Sequence, residues 1–273
     1  MMRSLWTGAS GMHAQSLKTD TISNNIANVN TTGFKRERLE FQSLLYQTIQ
    51  NAGSDPSEVG NSPANLQVGH GVRATATTRS HQMGNLEPTH RNVDFAIQGN
   101  GFFVIDRGND QVAYTRDGSF HLTPIGGDQL MLVNGEGFPV LDGSQNRIVF
   151  ADTIDIQSLV VSQNGSFATR NAAGQPVDLN VSMAIAQFTN RQGLEAIGGN
   201  LFVETPASGE PRLEQDGNVA QPSQIIQGHL ERSNVQIAEE MVGLIVSQRA
   251  FELNSRVIQT ADQMLQEATN MRR

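Results

Sequence analysis

The stretch from Ser233 to Arg273 carries a hydrophobic repeat that only a long helix can present on one surface. Ile237, Leu244, Phe251, Ile258 and Leu265 recur at strict seven-residue intervals, and Ser247, Asn254, Ala261 and Ala268 hold the adjoining heptad position with short side chains. That spacing is a coiled-coil seam. Ser233 followed three residues later by Gln236 has the form of a capping box, so the helix is expected to start there. Glu239 and Glu240 then lie near the positive end of the helix dipole and Arg272 and Arg273 near the negative end. One helix cannot bury its own stripe. The seam therefore packs either on the rest of its own domain or on a partner helix.

The other end of the chain offers a partner. Residues 2 to about 29 read as a second helix, with Leu5, Met12, Thr19 and Ile26 at heptad spacing and Ala9, Ser16 and Ser23 beside them. Gly8 and Gly11 each cost roughly 1 kcal/mol against alanine in a helix interior, so this segment gains its order from packing. Small residues on one helix and large ones on the other suggest that the two pair, within one chain or between copies. The N-terminal helix stops in an asparagine-rich run closed by Gly33, which suits a left-handed cap.

Between the helices the pattern changes. Residues 34–50 place Phe34, Leu39, Phe41, Leu44, Leu45 and Ile49 on a charged background, short enough for a helix or an extended arm. Residues 51–72 are rich in Gly, Ser, Asn and Pro without a period, which fits a linker or a functional loop. From 73 to 227 the chain consists of strand-sized apolar runs such as Phe102-Phe103-Val104-Ile105, Leu130-Met131-Leu132-Val133 and Leu159-Val160-Val161. Asp117-Gly118, Asn134-Gly135 and Asn164-Gly165 punctuate them as hairpin-type dipeptides. The expected class is a discontinuous α+β fold: paired N- and C-terminal coiled-coil helices with an inserted all-β middle domain. Its parts would be 1–33 (N-terminal helix), 34–72 (linker or arm), 73–227 (β domain) and 228–273 (C-terminal helix).

Composition narrows the function. A net charge of −8 argues against nucleic acid or an anionic membrane as a partner, and no run of eighteen apolar residues suggests membrane insertion. Cysteine is absent, so no disulfide or thiolate metal site can form, and the six histidines have no ligand spacing. No metal or cofactor is expected. Gly99-Asn100-Gly101 leads into Phe102-Phe103 rather than a helix, so it is no dinucleotide fingerprint. Asp106, Asp110 and Asp117 read as turn residues, and the basic cluster Lys35, Arg36 and Arg38 as a solvated face. Glu87, Glu195 and Glu204 lie in no catalytic motif, so a peptidoglycan hydrolase has no support beyond the presence of carboxylates. An adhesin with a coiled-coil stalk is a further reading. The first thirty residues have no apolar core followed by a cleavage site, so a chain working outside the cytoplasm would need another export route.

The run Asn24-Asn25-Ile26-Ala27-Asn28-Val29-Asn30-Thr31-Thr32-Gly33-Phe34-Lys35 resembles the signature of the bacterial flagellar rod and hook proteins. Supporting stretches run in order along the whole chain. They are Met2 to Trp6, Phe41 to Ile49, Ala96 to Phe103, Tyr114 to Phe120, Gly228 to Val235 and Gln248 to Glu252. Within that family the chain is most similar to the distal-rod branch, and the larger proximal-rod and hook paralogues are the nearest rivals. The resemblance implies a non-enzymatic subunit that assembles helically into a rigid shaft carrying torque to the hook, with terminal helices inside and a β domain outside. It implies as partners further copies of the chain, proximal rod proteins, the hook protein, the surrounding rings and the flagellar export apparatus, which would deliver the chain to the basal body without a cleaved signal. It also implies that residues 51–72 stiffen the shaft. The residues expected at the assembly interface are Leu5, Ala9, Met12, Ile26, Asn28, Gly33, Ile237, Leu244, Phe251, Ile258 and Leu265.

Overall fold

The computed structural model of the protein describes residues 2–50, 65–108, 111–151, 158–170, 176–217, 219 and 221–271. It is an α+β fold with one long helix near each end and strands between them, and it divides into two units. The first unit comprises residues 1–27, 37–79 and 236–273, and the second 28–36 and 80–235. These boundaries differ from the four-part division expected from composition: the arm and the strand after it stand with the helices, while the segments flanking the helices stand with the β unit.

In the first unit, α1 (Met2–Ala27) and α2 (Ile237–Asn270) lie antiparallel, as the ladder of contacts from Gly8 with Ile258 to Asn25 with Glu240 establishes. Residues 34–50, left open as helix or arm, are extended. Glu37–Ser43 pairs antiparallel with Val72–Arg79, with a register shift between Glu40 and Phe41, and Tyr46–Gln50 pairs with Leu66–Gly69. β-branched residues make up half of the partner strand, at Val72, Thr75, Thr77 and Thr78, which favours this ribbon over a helix. Of the glycine-rich stretch 51–72, residues 51–64 lie outside the described residues.

The expected start of α2 needs correction. No capping box forms at Ser233; the N-cap is Gln236, without a side-chain cap bond. Asn234 is held outside the helix instead. Its amide donates to the carbonyls of Ser80 (2.8 Å) and Gln82 (3.0 Å), and its Oδ1 accepts the Arg36 N–H at 2.7 Å. Three tertiary hydrogen bonds outweigh one local cap.

The second unit is built on a sheet ordered Glu195–Gly198, Leu201–Val203, Val112–Thr115, Phe102–Asp106, Ile185–Gln187 and Arg212–Leu213, antiparallel at each pairing. The run Phe102-Phe103-Val104-Ile105 is continuous rather than alternating because both of its faces are covered. Phe103 and Ile105 enter one core with Phe95, Phe120 and Phe167, whereas Phe102 and Val104 enter another with Tyr114, Phe188 and Phe202. Edge-to-face ring pairs, such as Phe103 with Phe120 at 5.1 Å, let few aromatic residues fill two cores.

Two of the three turn dipeptides behave as expected in part. Gly165 sits at φ +83 in a hairpin between Leu159–Val161 and Ser166–Arg170, and Asn134 opens a turn whose left-handed residue is Gly137. Asp117-Gly118 makes no hairpin, because the strands on either side of it belong to different sheets. Gly118 is needed there for space: a Cβ on it would lie 1.6 Å from the Phe95 carbonyl oxygen.

Candidate assembly surface

The helix pair of the first unit meets along small and polar side chains. Gly8 backs onto Ile258, Gly11 onto the Asn254 side chain and Gly243 onto Ile22, so each glycine removes a Cβ where the partner helix is close. Ser247, fully buried, donates from Oγ to the Gln15 carbonyl at 3.0 Å and lies 3.1 Å from Thr19 Oγ1. Ala261 and Ala14 are also buried. The α2 residues most buried are the short ones of the expected seam, Ser247 and Ala261, with Leu244, Ile258 and Leu265 half-buried at their flanks and Ile237 and Phe251 exposed.

At the far end of the pair, Asn25 carries three bonds. Its amide donates to the Glu37 carbonyl (2.8 Å) and to Glu240 Oε2 (3.2 Å), and its Oδ1 accepts the Glu37 N–H at 2.9 Å. The side chain thus mimics one rung of a β ladder and joins α1, α2 and the ribbon. Glu240 is 2% exposed and lies in the first turn of α2, where the helix dipole favours a carboxylate.

The outward faces of this unit are apolar. Val242, Val246, Leu253, Val257 and Met264, spaced four, seven, four and seven, are all exposed, Leu253 by 60%. At 3.6 residues per turn they form a second stripe roughly a third of a turn from the seam. Trp6 on α1 is 75% exposed. In the sequence this stripe is a second heptad series, overshadowed by the first at Phe251 and Leu244.

The anticipated interface residues are distributed as follows. Leu5, Met12, Ile26, Leu244, Ile258 and Leu265 are half-buried in the first unit, and Ala9, Ile237 and Phe251 are exposed there. Phe251 borders a hollow of about 360 Å³ with Ser16, Thr19, Asp20, Gln248 and Glu252. Asn28 and Gly33 belong to the second unit, where Asn28 Oδ1 accepts the Thr31 hydroxyl and the Gly33 N–H donates to the Glu231 carbonyl at 2.8 Å.

Beside that turn lies a cluster that sequence reasoning missed. Lys35, expected on a solvated face, is 2% exposed. Its ammonium pairs with Glu231 Oε1 at 2.5 Å and donates to the Gln82 carbonyl at 2.8 Å. Arg116, equally buried, reaches Glu231 Oε2 at 3.3 Å, donates to the carbonyls of Ile97 and Gly99, and stands 5.2 Å from the centre of the Phe102 ring. Burial pushes the pKa of both cations down, and the Glu231 charge opposes that shift. Nothing in the local pattern around Lys35 distinguishes it from the neighbouring Arg36 and Arg38.

Of the other carboxylates singled out in the sequence, Asp110 lies outside the described residues and four have structural partners. Asp106 Oδ1 and Asp117 Oδ1 accept turn N–H groups from Gly108 and Ser119, Glu87 pairs with Arg232 at 3.4 Å, and Glu204 accepts the Tyr114 hydroxyl. Among the described residues no helix is long and apolar enough to cross a membrane.

Comparison with known proteins places these features. Three family profiles match: "Flagella basal body rod protein" over residues 5–35, "Flagellar hook protein FlgE/F/G D1 domain" over 96–169 and "Flagellar basal body rod FlgEFG protein C-terminal" over 226–271. The chain is 43% identical over 274 residues to the flagellar basal-body rod protein FlgG of Borreliella burgdorferi, covering 100% of both chains. It is 44% identical to the FlgG of Caulobacter vibrioides, over 99% of this chain and 100% of the relative, and 37% identical to that of Bacillus subtilis over 100% of both.

Proposed function

From the premise that this chain belongs to the FlgG family of flagellar basal-body rod proteins, we propose that it is a structural subunit of the distal rod, self-assembling helically into the shaft that carries torque from motor to hook. The observation that carries the mechanism is the second stripe on α2. A helix whose one apolar face is already covered by α1 and whose other face is exposed has a surface left for a neighbour. Contacts between unlike faces of identical subunits generate a helical tube when the rotation relating the subunits does not close. Coiled-coil packing among these helices fits the heptad phase of both stripes. In this reading Leu5, Ala9, Met12, Ile26, Ile237, Leu244, Phe251, Ile258 and Leu265 join Val242, Val246, Leu253, Val257 and Met264 at subunit contacts, and no catalysed step is involved.

Membership of the family supports assembly with other rod and hook components in the basal body. The proximal rod proteins, the hook protein and the enclosing rings are the neighbours this reading requires, and the flagellar export apparatus its route. Electron microscopy of concentrated protein tests it directly: straight tubes are expected. Leu253→Asp should abolish them while leaving far-ultraviolet circular dichroism unchanged, because the new carboxylate is solvated in the single chain and buried unpaired only in the polymer. Closed oligomers of one size at every concentration would favour the stalked adhesin.

A further inference from the structure

The second unit carries a groove that the assembly reading does not use. A cavity of about 690 Å³, with Gln82, Gln98, Asn100, Asn190 and Gln192 among its lining and Arg191 on its wall, shares Asn100 and Thr189 with a second of about 320 Å³ that Arg212 lines. No acidic side chain lines either cavity among the described residues, although the protein as a whole carries a net charge of −8.

The ground beneath the groove is positive as well. Lys35 donates to the carbonyl of Gln82, and Arg116 to that of Gly99, so each buried cation lies one peptide group from the lining. Arg191 is near enough to push against both charges. Two carboxylates stand nearby, and both are engaged. Glu231 is fully buried between Lys35, Arg116 and the Gly84 N–H, while Glu214 accepts from Gln187 Nε2 and the Ser223 N–H, each at 2.7 Å. Four cations against two carboxylates leave a net positive field in a groove whose polar walls focus it.

The lining chooses among anions. Asparagine and glutamine amides both donate and accept, which suits the alternating N–H and C=O groups of an extended peptide. A glycan would call for an exposed ring to stack on; Phe188 is 7% exposed and edge-packed against Tyr114 and Phe102, and the half-buried His81 ring is edge-packed against Phe102 and Phe202. Arg191 spends one N–H on Asn100 Oδ1 at 2.8 Å and keeps its remaining donors for a carboxylate, which a guanidinium grips in bidentate fashion. We propose that this groove docks an extended acidic peptide segment of another polypeptide, its carboxylates held by Arg191 and Arg212 and its backbone by the amide side chains.

The probe is a fluorescein-labelled octapeptide alternating glutamate and glycine, titrated by anisotropy into the full-length chain at a concentration where light scattering shows no polymer. The measurement therefore stands or falls independently of assembly. Saturable binding that weakens with added salt is expected. Arg191→Gln should weaken it roughly tenfold and Arg212→Gln several-fold. Arg212 is exposed, so its variant stays informative if the Arg191 variant folds poorly. Arg147→Gln, which alters an exposed arginine paired with Asp106, should leave binding unchanged. The proposal is overturned by absent binding, by equal binding of the glutamine-glycine octapeptide, by equal loss in the Arg147 variant, or by full displacement with equimolar inorganic phosphate, which would mark a generic anion site.

Discussion

Glu231 ties distant parts of the second unit together. Its two oxygens face Lys35, Arg116 and the Gly84 N–H, and its backbone carbonyl accepts from Gly33. Glu231→Gln removes the charge and leaves two buried cations unpaired, so it should destabilise the protein by about 3–5 kcal/mol, read from the midpoint of urea unfolding. In that variant burial acts on Lys35 with nothing to oppose it, which depresses its pKa further. Gly33→Ala is a second sensitive change: φ is +69, and the new Cβ would lie 2.7 Å from the Asp117 nitrogen. The left-handed conformation alone costs about 1–2 kcal/mol, and the contact with backbone, which cannot rotate away, adds to it. Tyr114 supplies a pH signature. Burial, reinforced by Glu204, raises its pKa above the ordinary 10.0. Its contribution to stability is therefore complete below about pH 10 and is lost as pH rises toward the folded-state value. Alkaline titration of tyrosinate absorbance should show its late step vanish in Tyr114→Phe, a variant whose stability should also fall less steeply above pH 10.

At the scale of elements, α2 works as a helix with two faces. The inner one is governed by Ser247, Ala261 and the glycines that let α1 come close. Ser247→Leu puts a large side chain where none fits and removes the bond to Gln15, so a loss of about 1–3 kcal/mol is expected from overpacking, measured as a lower thermal midpoint of the dilute chain. Val246→Asp, on the exposed face, should leave that midpoint within about 0.5 kcal/mol of the parent and suppress sedimentable polymer. Opposite responses of the two variants separate contacts inside one chain from contacts between chains. A parallel loss of stability in Val246→Asp would show that the outer face is already covered.

At the scale of the whole molecule, Trp6 reports assembly. As the only tryptophan, and 75% exposed, it should emit at long wavelength in dilute protein. Packing of subunits about the helices should shift its emission to shorter wavelength in step with light scattering, since an amphipathic ring gains by leaving water. An emission maximum that stays fixed while scattering rises would place Trp6 outside every subunit contact.

Local pattern determined the two long helices, the strand-rich middle, and hence that the chain is α+β with a helix near each end, while leaving residues 34–50 open between helix and arm. Those properties follow from residue spacing, because a helix or strand repeats its geometry every few residues and the side chains must repeat with it. The long helix at Ile237–Asn270 and the turn at Asn164-Gly165 were legible for that reason. Tertiary structure decided the rest. It held Asn234 outside the helix against a plausible cap, sent the strands around Asp117-Gly118 into different sheets, and gathered Lys35, Arg116 and Glu231 from three distant parts of the chain into one buried cluster. Lys35 and Arg36 are neighbours with nearly the same chemistry, yet only the first is buried. The difference lies in which way the backbone turns after Gly33 and what meets it there, and that depends on residues almost two hundred positions away.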